Sequence, residues 1–326
     1  MIIITGGAGM IGSMIAWHLD TIMNEDQLII VDDYEDPSRE KNFSKRKYSE
    51  FIHKKKLFDF LKDAKKIRAV IHMGAISATV EKNFNNLLNS NIRYSQKLWS
   101  WCASHNVPFI YASSAATYGD GRQGYDDGIQ LNLLNPLNAY GYSKHFFDQW
   151  AELQVKSNQP APPQWVGLKF FNVYGPNEYH KGRMASVVYH AFNQMNDHQE
   201  IKLFKSDRHD YDDGMQMRDF IYVKDAVKCV MFFLQNNSIS GLYNVGTGKA
   251  QSFKKLATAV AQNMKANEDV IKYIDMPDDL KNKYQYFTEA KMNKLRDIGY
   301  EESFFDLNLG VQDYIENYLS TKDMYA

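Results

Sequence analysis

The sequence is poor in cysteine, has almost no net charge and contains no long apolar run. Only two cysteines, Cys102 and Cys229, occur in 326 residues. Both lie in apolar segments of helical character, so a disulfide framework is not expected, and two small buried side chains are expected rather than a reactive thiol. The formal net charge is −1, which implies no overall polyanion-binding field, so nucleic acid is not an expected partner. No uninterrupted apolar stretch reaches the roughly 20 residues of a bilayer-spanning helix, so no membrane partner is expected either. No basic region precedes Ile2-Ile3-Ile4 and no cleavage site follows it. That start reads as a first strand and not as a secretory leader, and a cytoplasmic protein is expected. Internal repeats and long low-complexity tracts are absent, and no metal site is expected.

What is present is ordinary for a globular protein: 44% hydrophobic and 24% charged residues, in a chain long enough to bury a substantial core. Short apolar segments read as strands at Ile2 to Thr5, Leu28 to Val31, Ala69 to His72, Phe109 to Ala112, Trp165 to Phe171 and Leu242 to Val245. Helical patterns occupy Ile11 to Met23, Asn91 to His105 and Tyr140 to Gln154. Strands alternating with helices predict an α/β fold, a Rossmann-type doubly wound parallel sheet with a smaller C-terminal lobe. Residues 1–171 with about 219–248 are expected to form the dinucleotide-binding part, and about 172–218 with 249–326 the substrate lobe. The proline-rich Gln159 to Pro163 reads as a surface loop, and the acidic Asp207 to Gly214 as a mobile excursion.

Between the first strand and the first helix lies Thr5-Gly6-Gly7-Ala8-Gly9-Met10-Ile11-Gly12. At this junction Gly6 permits a tight turn, Gly9 lets backbone approach a pyrophosphate, and Gly12 lets helix pack on strand. The amides and the helix dipole then hold the anion. Asp32 ends the second strand, where a carboxylate accepts hydrogen bonds from a ribose diol. Arg39, Lys41, Lys45 and Arg46 follow closely and could instead meet a 2′-phosphate. These residues alone leave NAD and NADP both open.

Tyr140-Gly141-Tyr142-Ser143-Lys144 places Tyr140 and Lys144 on one helical face. An ammonium near a phenol lowers its pKa, and the phenolate can take a hydroxyl proton while hydride leaves the same carbon. Ser114, at the carboxyl end of a strand, is assigned to hold the reacting oxygen. Ser113 and Thr117 are the alternates for that role. Tyr142 points elsewhere and is expected to pack.

TGGAGMIG, YASSAATYG and YGYSK together resemble the extended short-chain dehydrogenases/reductases, the NAD-dependent epimerase/dehydratase family. FNVYGP, RDFIYVKD and YNVGTG carry the resemblance to the substrate side. More narrowly, IHMGAIS, LNAYGYSK, FNVYGPNEYHKGRMASV and LKNKYQYFTEA are similar to the members that epimerise ADP-heptose, a nucleotide sugar of lipopolysaccharide supply. The resemblance implies transient oxidation at C6, with Tyr140 serving one side of the carbon and Lys181, in the HKG segment, the other. It implies coenzyme contacts at Gly6, Gly9, Met10, Ile11, Gly12, Asp32, Asp33 and Arg39. Further contacts are implied at Met73, Gly74, Ala75, Ser77, Asn91, Tyr140, Lys144, Val173 and Lys181. Substrate contacts are implied at Ser114, Asn172, Arg183, His190, Phe204, Arg218 and Tyr284. The implied coenzyme is NADP, with NAD the alternative, and the implied assembly is a homo-oligomer, a pentamer or decamer. Asp33 departs from the family's usual asparagine, and its charge sits poorly beside a 2′-phosphate. Competing readings are a UDP-sugar 4-epimerase, a dehydratase and a non-catalytic NAD(P)-binding sensor. A dehydratase needs an acid beside the serine, where this chain has Ala115 and Ala116.

Overall fold

Isoleucine at three successive positions has no exposed face to offer, so β1 (Ile2–Thr5) must be covered on both sides. In the computed structural model, which describes residues 1–22, 28–33, 37–277 and 285–326, it lies inside a parallel sheet. The other strands of that sheet are β2 (Leu28–Asp32), β3 (Glu50–His53), β4 (Ala69–His72), β5 (Phe109–Ser114) and β6 (Trp165–Phe170). A late strand, β10 (Gly241–Val245), completes the seven found among the described residues, in the order β3-β2-β1-β4-β5-β6-β10. Ile3 pairs with Ile29 on one side and Val70 on the other. The chain thus winds outward from β1 to one edge and returns at β4 to wind the other way. The reversal opens a crevice at the carboxyl ends of β1 and β4, where such sheets take ligands.

Helices Met10–Asp20 and Val223–Gln235 pack together on one face. On the other face, Trp99 of helix Tyr94–Ser104 stacks edge-on against Phe109 and Trp150, and tilts against Trp165. Such aromatic contacts add about 0.5–1.5 kcal/mol each beyond area burial. Cys102 and Cys229 lie buried in these two helical layers, and burial pushes both thiols up, Cys229 to about 12. The helix expected from Asn91 begins with a π-helical stretch, Leu88–Arg93, before turning α-helical at Tyr94.

Three further strands, β7 (Asn172–Tyr174), β9 (Met217–Tyr222) and β11 (Ala250–Ser252), form a small mixed sheet in the order β11-β9-β7. The pair β8 (Ile201–Phe204) and β12 (Ile271–Ile274) lies beside helix Val187–His198. The Asp207 to Gly214 stretch is tied back: Arg208 pairs with Asp210 and lies over the rings of Tyr211 and Tyr286.

Candidate active site

Gly6 turns the chain out of β1 with φ of +68°, and a Cβ there would meet the amide of Gly74 at 2.5 Å. A Cβ on Gly12 would meet the Gly6 carbonyl at 2.1 Å. Both positions therefore demand glycine, and together they bring the turn against the end of β4. At Gly9 an added Cβ meets only the Gly6 carbonyl, at 3.2 Å, so the backbone stays bare toward the crevice. The helix opening at Met10 has no side-chain cap, which leaves its first amides to an anionic ligand. The cleft in front encloses about 970 Å³. It is lined by the glycine turn, Met10 and Ile11, by Asp32, Asp33 and Arg39, and by Met73, Gly74, Ala75 and Ser77. This cradle fits a dinucleotide.

The ribose end is more crowded than the sequence suggests. Asp32 accepts from the Ala8 amide at 2.8 Å, the Asp33 amide at 2.8 Å and Arg39 Nη1 at 2.9 Å. Asp33 pairs with Lys54 and, at 3.3 Å, with His53 Nε2. The charge that counts against a 2′-phosphate is therefore matched locally. Lys54 and Lys55, which sequence reasoning missed, line this end of the cleft. Their signal was the short strand Glu50–His53 just before them, which delivers them to the sheet's carboxyl edge.

Asn91 does not face the cleft. Its side chain accepts from the Ile76 amide at 2.9 Å and donates to the Ile76 carbonyl at 3.0 Å and to Ser143 Oγ at 2.9 Å. Ser143 Oγ in turn donates to the Tyr140 carbonyl at 2.7 Å. Asn91 thus ties the cleft wall to the helix that bears Tyr140.

That helix, Ala139–Lys156, is capped by Asn138, whose Oδ1 accepts from the Gly141 amide at 2.8 Å. Tyr140 and Lys144 are only 9% and 6% exposed. Burial raises the Tyr140 phenol above its ordinary value; a hydrogen bond with Ser114 works against this, and Asp148 adds to it. Where the sequence leads one to expect a lowered phenol, burial outweighs the neighbours and the phenol is raised on balance. Lys144 Nζ donates to the Ala112 carbonyl at 2.8 Å, and burial lowers the ammonium to about 8. A hydrogen bond with Ser114 is the described contact that favours the phenolate. Ser113 Oγ donates to Asp148 and Thr117 Oγ1 to the Ser114 carbonyl, so neither alternate is turned to the reacting oxygen. Tyr142 donates to Asn135 Oδ1 at 2.6 Å, away from the site.

Ser114, Tyr140 and Lys144 line a second cavity of about 460 Å³. Facing residues are Asn172, Val173, Lys181, Arg183 and Arg218, with an apolar wall of Phe220, Phe253 and Leu256 that sequence reasoning missed. Those three are separated from the motifs in sequence and meet them only through the small sheet and the helix Phe253–Asn263. Lys181 lines both cavities, with Nζ 3.0 Å from Met10 Sδ. Burial lowers its ammonium, and Glu178 opposes that shift. Arg218 donates to the Met217 carbonyl at 2.8 Å and lies over the Phe253 ring. Asp219 is buried on the other side of β9, accepting from the amides of Thr247, Gly248 and Ala290. An Arg218–Asp219 surface pair is thus replaced by an arginine facing the cavity.

His190 and Phe204 line neither cavity. The helix that carries His190 reaches the second cavity only at its start, through Ser186 and Val187, and His190 lies a turn further on. Phe204 ends β8, outside the apolar wall that Phe220, Phe253 and Leu256 give the second cavity. Tyr284 lies outside the described residues.

Residues 2–246 match the NAD dependent epimerase/dehydratase family. Over the whole of both chains, the sequence is 51% identical to an ADP-L-glycero-D-manno-heptose-6-epimerase of Fusobacterium nucleatum. It is 46% identical, again over the whole of both, to the enzyme of that name from Nitratidesulfovibrio vulgaris. The crystal structure of the Helicobacter pylori ADP-L-glycero-D-manno-heptose-6-epimerase superimposes with a TM-score of 0.81 at 27% identity, covering 97% of this chain and 95% of that one.

Proposed function

The chain belongs to the NAD dependent epimerase/dehydratase family, and from that premise we propose that it interconverts ADP-D-glycero- and ADP-L-glycero-D-manno-heptose. It is an isomerase. The observation that carries the reading is the full-length identity of 51% to a relative of that name. Its chemical support is one cavity lined by two groups able to move a proton, Tyr140 from a helix and Lys181 from the turn Tyr179–Met184. A bound nicotinamide supplies reversible hydride acceptance at C6. Tyr140 Oη takes the C6 hydroxyl proton and Ser114 Oγ holds that oxygen. After the sugar reorients, Lys181 Nζ handles the proton on the opposite side. Arg218 and Arg183 hold the diphosphate, for which a guanidinium offers a two-pronged match. Lys144 would hold the ribose of a bound nicotinamide, and Val173 lines the same cavity. Residues about 172–218 and 249–326 supply the sugar-binding lobe of a cytoplasmic homo-oligomer, a pentamer or decamer.

The coenzyme is NADP. Arg39, Lys54 and Lys55 line the ribose end, and Asp32 already accepts three hydrogen bonds from the protein. Titration of intrinsic fluorescence is expected to show NADP binding at least about tenfold tighter than NAD, as charge-assisted phosphate contacts require. Arg39→Met with Lys54→Met is expected to erase that preference. Equal or tighter NAD binding by the parent chain would sink it.

A nucleotide-sugar panel with products resolved by NMR tests the reaction. Turnover of ADP-heptose at C6, with UDP-galactose left unchanged, is the expected result. Turnover of UDP-galactose alone would establish a 4-epimerase, and no redox cycling with any sugar a binding sensor.

A further inference from the structure

Beneath Ser114 and Tyr140 lies a buried ion pair that the reaction as described does not use. Lys169 Nζ, on β6, is 2.8 Å from Asp148 Oδ2, on the helix two turns beyond Tyr140. Both side chains are at most 1% exposed. A pair this deep is a doubtful source of stability, because desolvation offsets the Coulomb attraction. Its hydrogen bonds indicate another role. Asp148 accepts from Ser113 Oγ at 2.6 Å and from Tyr111 OH at 3.0 Å, both on β5. Lys169 donates to Thr117 Oγ1 at 2.7 Å, and Thr117 Oγ1 donates to the Ser114 carbonyl at 2.8 Å. Ser114 is therefore held from both sides, through Ser113 by the acid and through Thr117 by the base. Its own Oγ accepts from the Ala116 amide at 3.1 Å, within the same turn.

We propose that Lys169 and Asp148 are positioning residues that fix the end of β5 and its following turn, so that Ser114 Oγ stays directed at Tyr140. The pair acts through Ser114 and touches neither substrate nor coenzyme. It also sets the charge behind the phenol. On its own helix Lys144 lies one turn on and Asp148, which also bears on Lys144 and His145, two turns on; Ser114 faces it from β5, and the Lys169–Thr117 link lies behind that strand. Across the cavity stand Lys181, Arg183 and Arg218. Asp148 raises Tyr140, Lys144 and His145 alike, so removing its charge moves all three the same way, downward.

The proposal rests on Tyr140 and Ser114 acting as assigned above. Its test is steady-state epimerisation across pH by the full-length, coenzyme-loaded protein. Thr117→Val keeps the ion pair and side-chain shape but cuts the link to Ser114. It is expected to lower kcat about 10- to 100-fold, as loss of reacting geometry does, with coenzyme affinity unchanged. Asp148→Asn is expected to move the ascending limb of the kcat profile to lower pH, and Lys169→Met to higher pH. A purely structural role would lower activity in both without opposed displacements. If Lys169→Met fails to fold, the other two variants decide the matter. Full kcat in Thr117→Val, or an unmoved limb in Asp148→Asn, overturns the proposal. Full activity of Tyr140→Phe would sink the underlying reading instead. An inactive Tyr140→Phe beside parent-like Thr117→Val and Asp148→Asn would remove only the positioning role.

Discussion

Tyr140→Phe, the removal of one oxygen, is expected to abolish epimerisation while leaving coenzyme bound. Positioned proton transfer contributes about 10²–10⁴-fold to rate, and no other side chain described at that end of the cavity replaces the phenol. Ser114 remains, but its hydroxyl serves as the partner that favours the phenolate and as cap of the following turn. Lys144 cannot substitute, since its ammonium donates to the Ala112 carbonyl. The fold should survive: the ring keeps its packing, and one lost hydrogen bond costs about 1 kcal/mol. The pH dependence has a definite sign. Burial holds the phenol above its ordinary value, so the phenolate fraction, and with it the rate, rises with pH through the neutral range. NMR rates across pH, beside the absorbance of retained nicotinamide, check both points. Full turnover in this variant would refute the role of Tyr140.

Lys181→Met is expected to be as damaging, and to be asymmetric. The residue sits where the two cavities meet, partly buried, with an ammonium lowered by burial. A lowered ammonium yields more neutral amine near neutral pH, and a neutral amine is what a base requires. As pH falls the amine protonates, so the direction that needs Lys181 as base slows first. Methionine keeps an unbranched stem of similar length and removes the amino group, and with it the charge and the transferable proton. The turn Tyr179–Met184 does not depend on Lys181 for its shape. Glu178 accepts from the Ser186 amide and hydroxyl, each at 2.6 Å, and Tyr179 OH donates to the Met324 carbonyl at 2.5 Å. Rates measured from each pure epimer should therefore fall by about 10²–10⁴-fold in at least one direction, with the fold intact. Parent-like rates in both directions would show that Lys181 only contacts ligand.

Asn91 shows how a residue type and position can be read without its role. The family resemblance implies a coenzyme contact at Asn91, a position the sequence marks only as the start of a helix. Its three hydrogen bonds, to Ile76 and Ser143, depend on the loop after β4 and the Tyr140 helix converging on it. Neither convergence is encoded within reach of residue 91. The same holds for Asp33, whose charge looked unfavourable until β3 brought His53 and Lys54 beside it.

The sequence by itself determined the local devices. Gly12 is demanded by the Gly6 carbonyl six residues before it and Gly6 by its left-handed turn, the one-turn spacing of Tyr140 and Lys144 follows from helix geometry, and the isoleucine run of β1 requires cover on both faces. Tertiary structure alone decided what faces what. It turned Lys144 to Ala112 and Ser114 to Tyr140, and brought Arg218 and Phe253 to one wall. It also closed Asp148 on Lys169 across 21 residues of chain. Propensity and spacing act over a turn or two, whereas electrostatics and packing act between whatever surfaces the fold has already pressed together.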